Sequence, residues 1–222
     1  MKTLFELFNT VNRGIHFETI GEDVSYAFKQ EDEVLYIYFE PSNGDIDWKH
    51  NFSFWKKPYK DMEIPYYVHG GFLKCWKYVE DIVIERIKDE TVKEIVVVGY
   101  SHGAALAMLC HECCWFHRED IRDNIWGIGF DGPRVFAGFM IPVELQKRWL
   151  QFIMIRNHTD LVTHVPPILF GYRHVGQFIK IGKNLDINCI ESHYPEHIRT
   201  ALKQSGELNT NWKNYITDII YS

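Results

Sequence analysis

With 222 residues, 46% of them hydrophobic, the chain is long enough to bury a full core without disulfide or metal staples. A formal charge of −6 and a pI near 6.0 argue against a nucleic-acid partner, which calls for a basic face, and no apolar stretch approaches the roughly 20 residues that span a bilayer. The five cysteines are odd in number and lack small-scaffold spacing, and Glu6 interrupts the apolar start, so the chain reads as cytoplasmic rather than secreted.

In chain order, the pattern opens with an amphipathic helix. Two runs rich in aromatic and β-branched residues, 24–29 and 34–39, flank the polar turn Gln30-Glu31-Asp32-Glu33 and predict a hairpin. Residues 40–67 read as a long irregular stretch loaded with Trp48, Phe52, Phe54, Trp55 and Tyr59. Phe72, Trp76, Val79, Val83 and Ile87 recur at helical spacing and predict a helix ending near Asp89. Strands follow at 95–98, 126–130, 152–156 and 175–181, with helices after Ser101 and over 143–150. Beyond Asn209, the spacing of Trp212, Tyr215, Ile216 and Ile219 predicts a last docked helix. This alternation implies an α/β fold: a mainly parallel central sheet flanked by helices, with the hairpin as an antiparallel N-terminal edge. No repeat, linker or low-complexity segment divides the chain, so residues 1–222 read as one domain.

The sharpest local feature is Gly99-Tyr100-Ser101-His102-Gly103. It ends a buried strand and opens directly into Ala104-Ala105-Leu106-Ala107, the setting of a nucleophile elbow, in which flanking glycines let strand and helix approach closely. Farther along that helix, Cys110, Cys113 and Cys114 lie beside His111 and His117. Helical spacing puts the thiols on one face, and free cysteine there reads as a small buried hydrophobe rather than a zinc ligand. No metal or cofactor is expected.

A serine hydroxyl needs a histidine base oriented by a carboxylate. In an elbow fold both follow the serine in the chain, at the carboxyl ends of later strands. Asp160 is favoured as the acid, because it follows the strand at 152–156 by a short loop. Asp131 also follows a strand but, before Gly132-Pro133, reads as a turn residue, and Asp186 lies in a polar loop. For the base, His158 and His164 are too close to Asp160, and His174 opens a strand, where a structural hydrogen bond is expected. His193 sits on the loop before the final helices and is favoured over His197, which lies within the helix.

Several further segments stand in order along the chain: Tyr38-Phe39-Glu40-Pro41-Ser42 with Asp47-Trp48-Lys49-His50-Asn51; Val68-His69-Gly70-Gly71-Phe72 with Trp76; Phe130-Asp131-Gly132-Pro133-Arg134-Val135; Asn157-His158-Thr159-Asp160-Leu161-Val162 with Pro166-Pro167; and Phe170-Gly171-Tyr172-Arg173-His174 before the late His193. In that order they resemble the segments of fungal-type class 3 lipases, an α/β-hydrolase family. The resemblance implies hydrolysis of carboxylic esters, lipid or other apolar acyl esters, through Ser101, His193 and Asp160. It also implies an oxyanion hole formed by the backbone N–H groups of Ser42 and His102. Residues 43–51, centred on Trp48, fall where that family carries its lid; the same aromatics would equally cover a sheet edge. Pro41, Glu40, His102 and Phe136 depart from the family pattern while the triad order stays intact. Other acyl transfer on the same triad, and a catalytically silent interaction protein on the same scaffold, stay open at this point.

Overall fold

Thr3 caps the first helix, α1 (Leu4–Asn9). Its hydroxyl accepts the Glu6 backbone N–H while the Glu6 carboxylate accepts the Thr3 N–H, a reciprocal cap that starts the helix sharply. The computed structural model describes residues 1–21, 24–41, 55–59, 66–138, 142–183 and 186–221. Next come β1 (Glu18–Ile20), β2 (Val24–Glu31) and β3 (Val34–Phe39). The β2–β3 hairpin is tighter than its polar turn implies, closing through Asp32 and Glu33 alone. Asp32 makes this possible by taking a left-handed backbone with φ 52°, as two-residue hairpin turns require.

Strands β4 (Lys56–Tyr59) and β5 (Tyr66–His69) lie within the stretch read from sequence as irregular. Neither run is long or alternating enough to announce itself, and Pro58 is tolerated because β4 is the outer strand of its sheet. The chain continues through α2 (Gly70–Ile87), β6 (Glu94–Tyr100), α3 (His102–His117), β7 (Ile125–Phe130), β8 (Phe136–Ala137), α4 (Val143–Arg148) and β9 (Phe152–Asn157). It ends with β10 (Tyr172–Arg173), β11 (Gln177–Ile181), α5 (Pro195–Lys203), α6 (Glu207–Thr210) and α7 (Trp212–Tyr221).

The larger sheet has the order β1-β2-β3-β6-β7-β9-β11. Pairing is antiparallel from β1 to β3 and parallel from β3 onward. A second, antiparallel sheet runs β10-β8-β5-β4. The architecture is therefore α/β with a mainly parallel sheet and an antiparallel N-terminal edge. Side-chain alternation divides the strands between two cores. Leu35, Ile37, Ile95 and Val97 face α2 and α3, whereas Tyr36, Tyr38, Val96 and Val98 face α1, α5 and α7. Burial on both faces explains why β6 reads as an unbroken apolar run.

Helix α3 is buried all round from His102 to Cys114, as expected of a helix that is apolar on every side. Cys110, Cys113 and Cys114 pack into the core, and burial pushes the Cys110 and Cys113 thiols well up. One ion pair lies inside this layer. Arg148 of α4 donates to Glu112 at 2.6 Å, with both side chains almost fully buried, and the guanidinium rests over the Trp115 ring. Removing one partner of such a pair strands a buried charge. Arg148→Met is therefore expected to cost about 3–5 kcal/mol in denaturant unfolding, with most of it recovered in Glu112→Gln/Arg148→Met. An equal loss in the double variant would contradict this account.

Candidate active site

Ser101 occupies a strained turn between β6 and α3, with φ 55° and ψ −120°. A Cβ on Gly99 would lie 2.1 Å from the Gly103 carbonyl oxygen, and one on Gly103 would lie 2.1 Å from the Phe39 carbonyl oxygen. Both obstacles are backbone, so only glycine lets the strand, the helix and the end of β3 approach this closely. The Ser101 N–H donates to the Phe130 carbonyl at 2.9 Å, tying the turn to the end of β7. Strain of this kind persists where its surroundings hold it in place.

Asp160 follows β9 after two residues and is fully buried. Its Oδ1 accepts the Val162 N–H at 2.9 Å, and its Oδ2 lies 2.8 Å from His193 Nδ1. His193 ends a short 3₁₀ turn (Glu191–His193) just before α5, and its Nε2 lies 2.9 Å from Ser101 Oγ. A carboxylate only accepts, so Nδ1 carries the proton and Nε2 is left to accept from the serine hydroxyl. The two loops are tied together: Asn157 Nδ2 donates to the Ser192 carbonyl at 2.8 Å and the Leu161 N–H to the Cys189 carbonyl at 3.0 Å. Tyr100 donates its hydroxyl to the His193 carbonyl and packs its ring 5.3 Å from the imidazole.

The other candidates are engaged elsewhere or face solvent. His174 Nε2 donates to the Thr163 carbonyl at 2.8 Å, and burial lowers its pKa to about 4. His164 Nδ1 donates to the Asp160 carbonyl at 2.9 Å, His158 pairs with Thr159, and His197 stacks on Tyr194 within α5. Asp186 is exposed. His102 opens α3, so its N–H belongs to the helix turn whose first donors lack intrahelical acceptors. Its ring lies 5.6 Å from that of Phe72. Ser42 and the aromatic stretch at 43–51 lie outside the described residues.

Asp131 is a residue whose part at the site sequence reasoning missed. It does sit in a turn, with φ 48°, but its side chain is buried directly beside the Asp160–His193 pair. One oxygen each of Asp131 and Asp160 and one ring nitrogen of His193 lie within 4.8 Å of one another. Asp131 Oδ1 accepts the Asn157 N–H at 2.6 Å, while Oδ2 is buried with no donor to accept from. Burial first, and then the Asp160 charge, push its carboxyl pKa well above the ordinary value. The neutral acid resolves the geometry, because a protonated Oδ2 donates to Asp160 instead of facing it as a second anion. The only sequence signal was its place at the carboxyl end of β7. Among the described residues this trio is also the one grouping with metal-ligand spacing, yet both His193 ring nitrogens are already engaged.

A raised folded-state pKa has a definite sign in stability. Asp131 contributes fully below its unfolded value of about 3.8, and that contribution is lost as pH rises through the folded pKa. Asp131→Asn keeps an acceptor for Asn157 and a donor for Asp160 without titrating. It should therefore melt higher than the unmodified protein at pH 8, with the difference closing as pH falls toward 4. A difference independent of pH would contradict the neutral acid.

The family model described as lipase (class 3) matches residues 36–170. A lipase of Rhizomucor miehei is 26% identical over 155 residues, covering 66% of this chain and 41% of that protein. A secreted mono- and diacylglycerol lipase of Malassezia globosa is 27% identical over 150 residues, covering 63% and 47%. The match thus spans less than half the length of either relative. Among solved structures, the Rhizomucor miehei lipase in complex with its propeptide aligns with a TM-score of 0.64 at 21% identity, over 81% of this chain and 64% of that one. The expectation of a cytoplasmic protein is corrected here, because the relatives include a secreted lipase and point to an extracellular setting. Cysteine count misled for a physical reason: three of the five thiols are buried packing groups of α3 and carry no information about compartment.

Proposed function

The chain belongs to the class 3 lipase family, and from that premise we propose that it hydrolyses carboxylic esters of apolar acyl groups through an acyl-enzyme on Ser101. The observation that carries this reading is the continuous chain from Ser101 Oγ to His193 Nε2 at 2.9 Å and from His193 Nδ1 to Asp160 Oδ2 at 2.8 Å. In the first half-reaction His193 takes the proton of Ser101 as Oγ attacks the carbonyl carbon, then gives it to the departing alcohol. In the second, His193 takes a proton from water as that water attacks the acyl-enzyme, and returns it to Ser101. Asp160 holds the imidazole in the productive tautomer and balances its positive charge.

The developing oxyanion is assigned to the backbone N–H groups of His102, at the start of α3, and Ser42. A helix start presents donors and a partial positive charge to such an anion. Exposed Leu161, Ile168, Leu169 and Phe170 follow the acid in the chain. That surface favours an ester delivered from an apolar phase over a small hydrophilic one.

A chain-length series of p-nitrophenyl esters tests this reading. Ser101→Ala should lose turnover by about 10⁶-fold while keeping the melting temperature. Asp160→Asn should lose about 10⁴-fold through the wrong imidazole tautomer, and His193→Ala should approach the serine variant while His197→Ala stays mild. More than a per cent of activity in pure Ser101→Ala would refute the nucleophile. At the oxyanion site, Ser42→Ala keeps its backbone N–H. It is expected to reduce turnover by less than the ~2.7–4 kcal/mol of a whole donor, with the Michaelis constant unchanged. A change confined to the Michaelis constant would place Ser42 in substrate binding instead.

A further inference from the structure

A cavity of about 610 Å³ lies behind the loop that carries Asp160, between β9, β11 and α4. Thr163 connects the two places: it lines the cavity, and its hydroxyl donates to the Asp160 carbonyl at 2.8 Å. Among the described residues, the lining includes the guanidinium groups of Arg134, Arg156 and Arg173, with the His174 imidazole beside them, and no Asp or Glu. Three guanidinium groups in one cavity stand out in a chain of net charge −6.

Among the described residues no carboxylate forms an ion pair with Arg134, Arg156 or Arg173. Arg156 disfavours positive charge on Arg134 and His174, and it also lies within electrostatic reach of the buried Asp131 carboxyl. Arg134 spends donors on the His164 and Pro166 carbonyls. Arg156 stacks over the Phe178 ring at 5.0 Å and donates from Nη1 to His164 Nε2 at 3.1 Å, while its Nε–H is buried without an acceptor. Leaving such a donor unmet costs about 1–3 kcal/mol or more. Arg173 uses Nε on the Gly138 carbonyl at 3.1 Å and is otherwise exposed. His174 Nδ1, an acceptor because Nε2 donates to the Thr163 carbonyl, is buried without a partner.

Exposed apolar side chains share the rim with Gln146, Thr163 and Gln177. Ile168, Leu150 and Phe178 line the cavity and remain exposed, and neighbouring Leu169 is 92% exposed. Unpaired guanidinium donors beside exposed alkyl and aromatic surface match one ligand class. We propose that this cavity binds an anionic amphiphile, with its carboxylate or phosphate head on Arg156 and Arg173 and its alkyl tail along Ile168 and Phe178. Guanidinium is suited to either oxyanion because its planar fork of donors matches both. The site is distinct from the Ser101 centre, and its occupancy does not depend on ester hydrolysis.

Calorimetric titration of the Ser101→Ala protein tests this, because no turnover intervenes. Decanoate and decyl phosphate, both below their micelle concentrations, are the probes, and the tighter of the two identifies the head group. At least one should bind, weakening as salt is raised, with decanol failing to compete. Arg173→Gln, an exposed substitution, should weaken binding by about tenfold or more, the value of a charged hydrogen bond. Arg156→Gln should do the same if it folds; Arg173→Gln alone decides the matter if it does not. Phe178→Ser should weaken decanoate more than inorganic phosphate. Binding of neither anion, equal affinity for decanol, or an unchanged affinity in Arg173→Gln would overturn the proposal.

Discussion

The site depends on how closely α3 approaches the ends of β3 and β6. A methyl group at Gly99 or Gly103 would fall 2.1 Å from a backbone oxygen, so this contact exists only because both positions lack a Cβ. The approach fixes Ser101 in a left-handed conformation that a serine does not choose on its own. It also starts α3 at His102, directly after the serine. The strain is held by the Ser101 N–H bond to Phe130 and by a helix whose first three turns are wholly buried.

A second constraint is electrostatic. Two buried carboxyl groups, Asp131 and Asp160, lie close to one imidazole. Like charges so close together in such a place cannot both be ionised at modest cost. Asp160 has the Val162 N–H and His193 as donors, whereas Asp131 has only the Asn157 N–H on one of its oxygens. That asymmetry decides which carboxyl keeps its proton. The neutral Asp131 then becomes a support for the Asp160 side chain, while the 157–162 loop holds its backbone.

Much of this was legible before the structure. The unbroken apolar run of β6, the glycines on either side of Ser101 and the order serine, aspartate, histidine are local or sequential signals. The structure places those three side chains within hydrogen-bond distance. What escaped depended on contacts between distant segments. Strands β4 and β5 have no periodicity of their own and exist because β8 and β10 complete their sheet. Asp131 looked like a turn residue, and it is one; its second role follows from β7 and β9 being neighbours, which no spacing in the chain reveals. The cationic cavity gathers arginines from three separate segments and is invisible to any linear scan. The compartment was misread because α3 uses cysteine as packing material.

The account rests on Ser101 being a nucleophile activated by His193, and covalent labelling tests that most directly. The folded protein would be treated with a fluorophosphonate, digested, and the modified peptide sequenced by mass spectrometry. The account predicts a single adduct on the Ser101 hydroxyl, formed rapidly in the unmodified protein and slowed by orders of magnitude in His193→Ala. An adduct on another residue, or equal labelling rates in the two proteins, would contradict it.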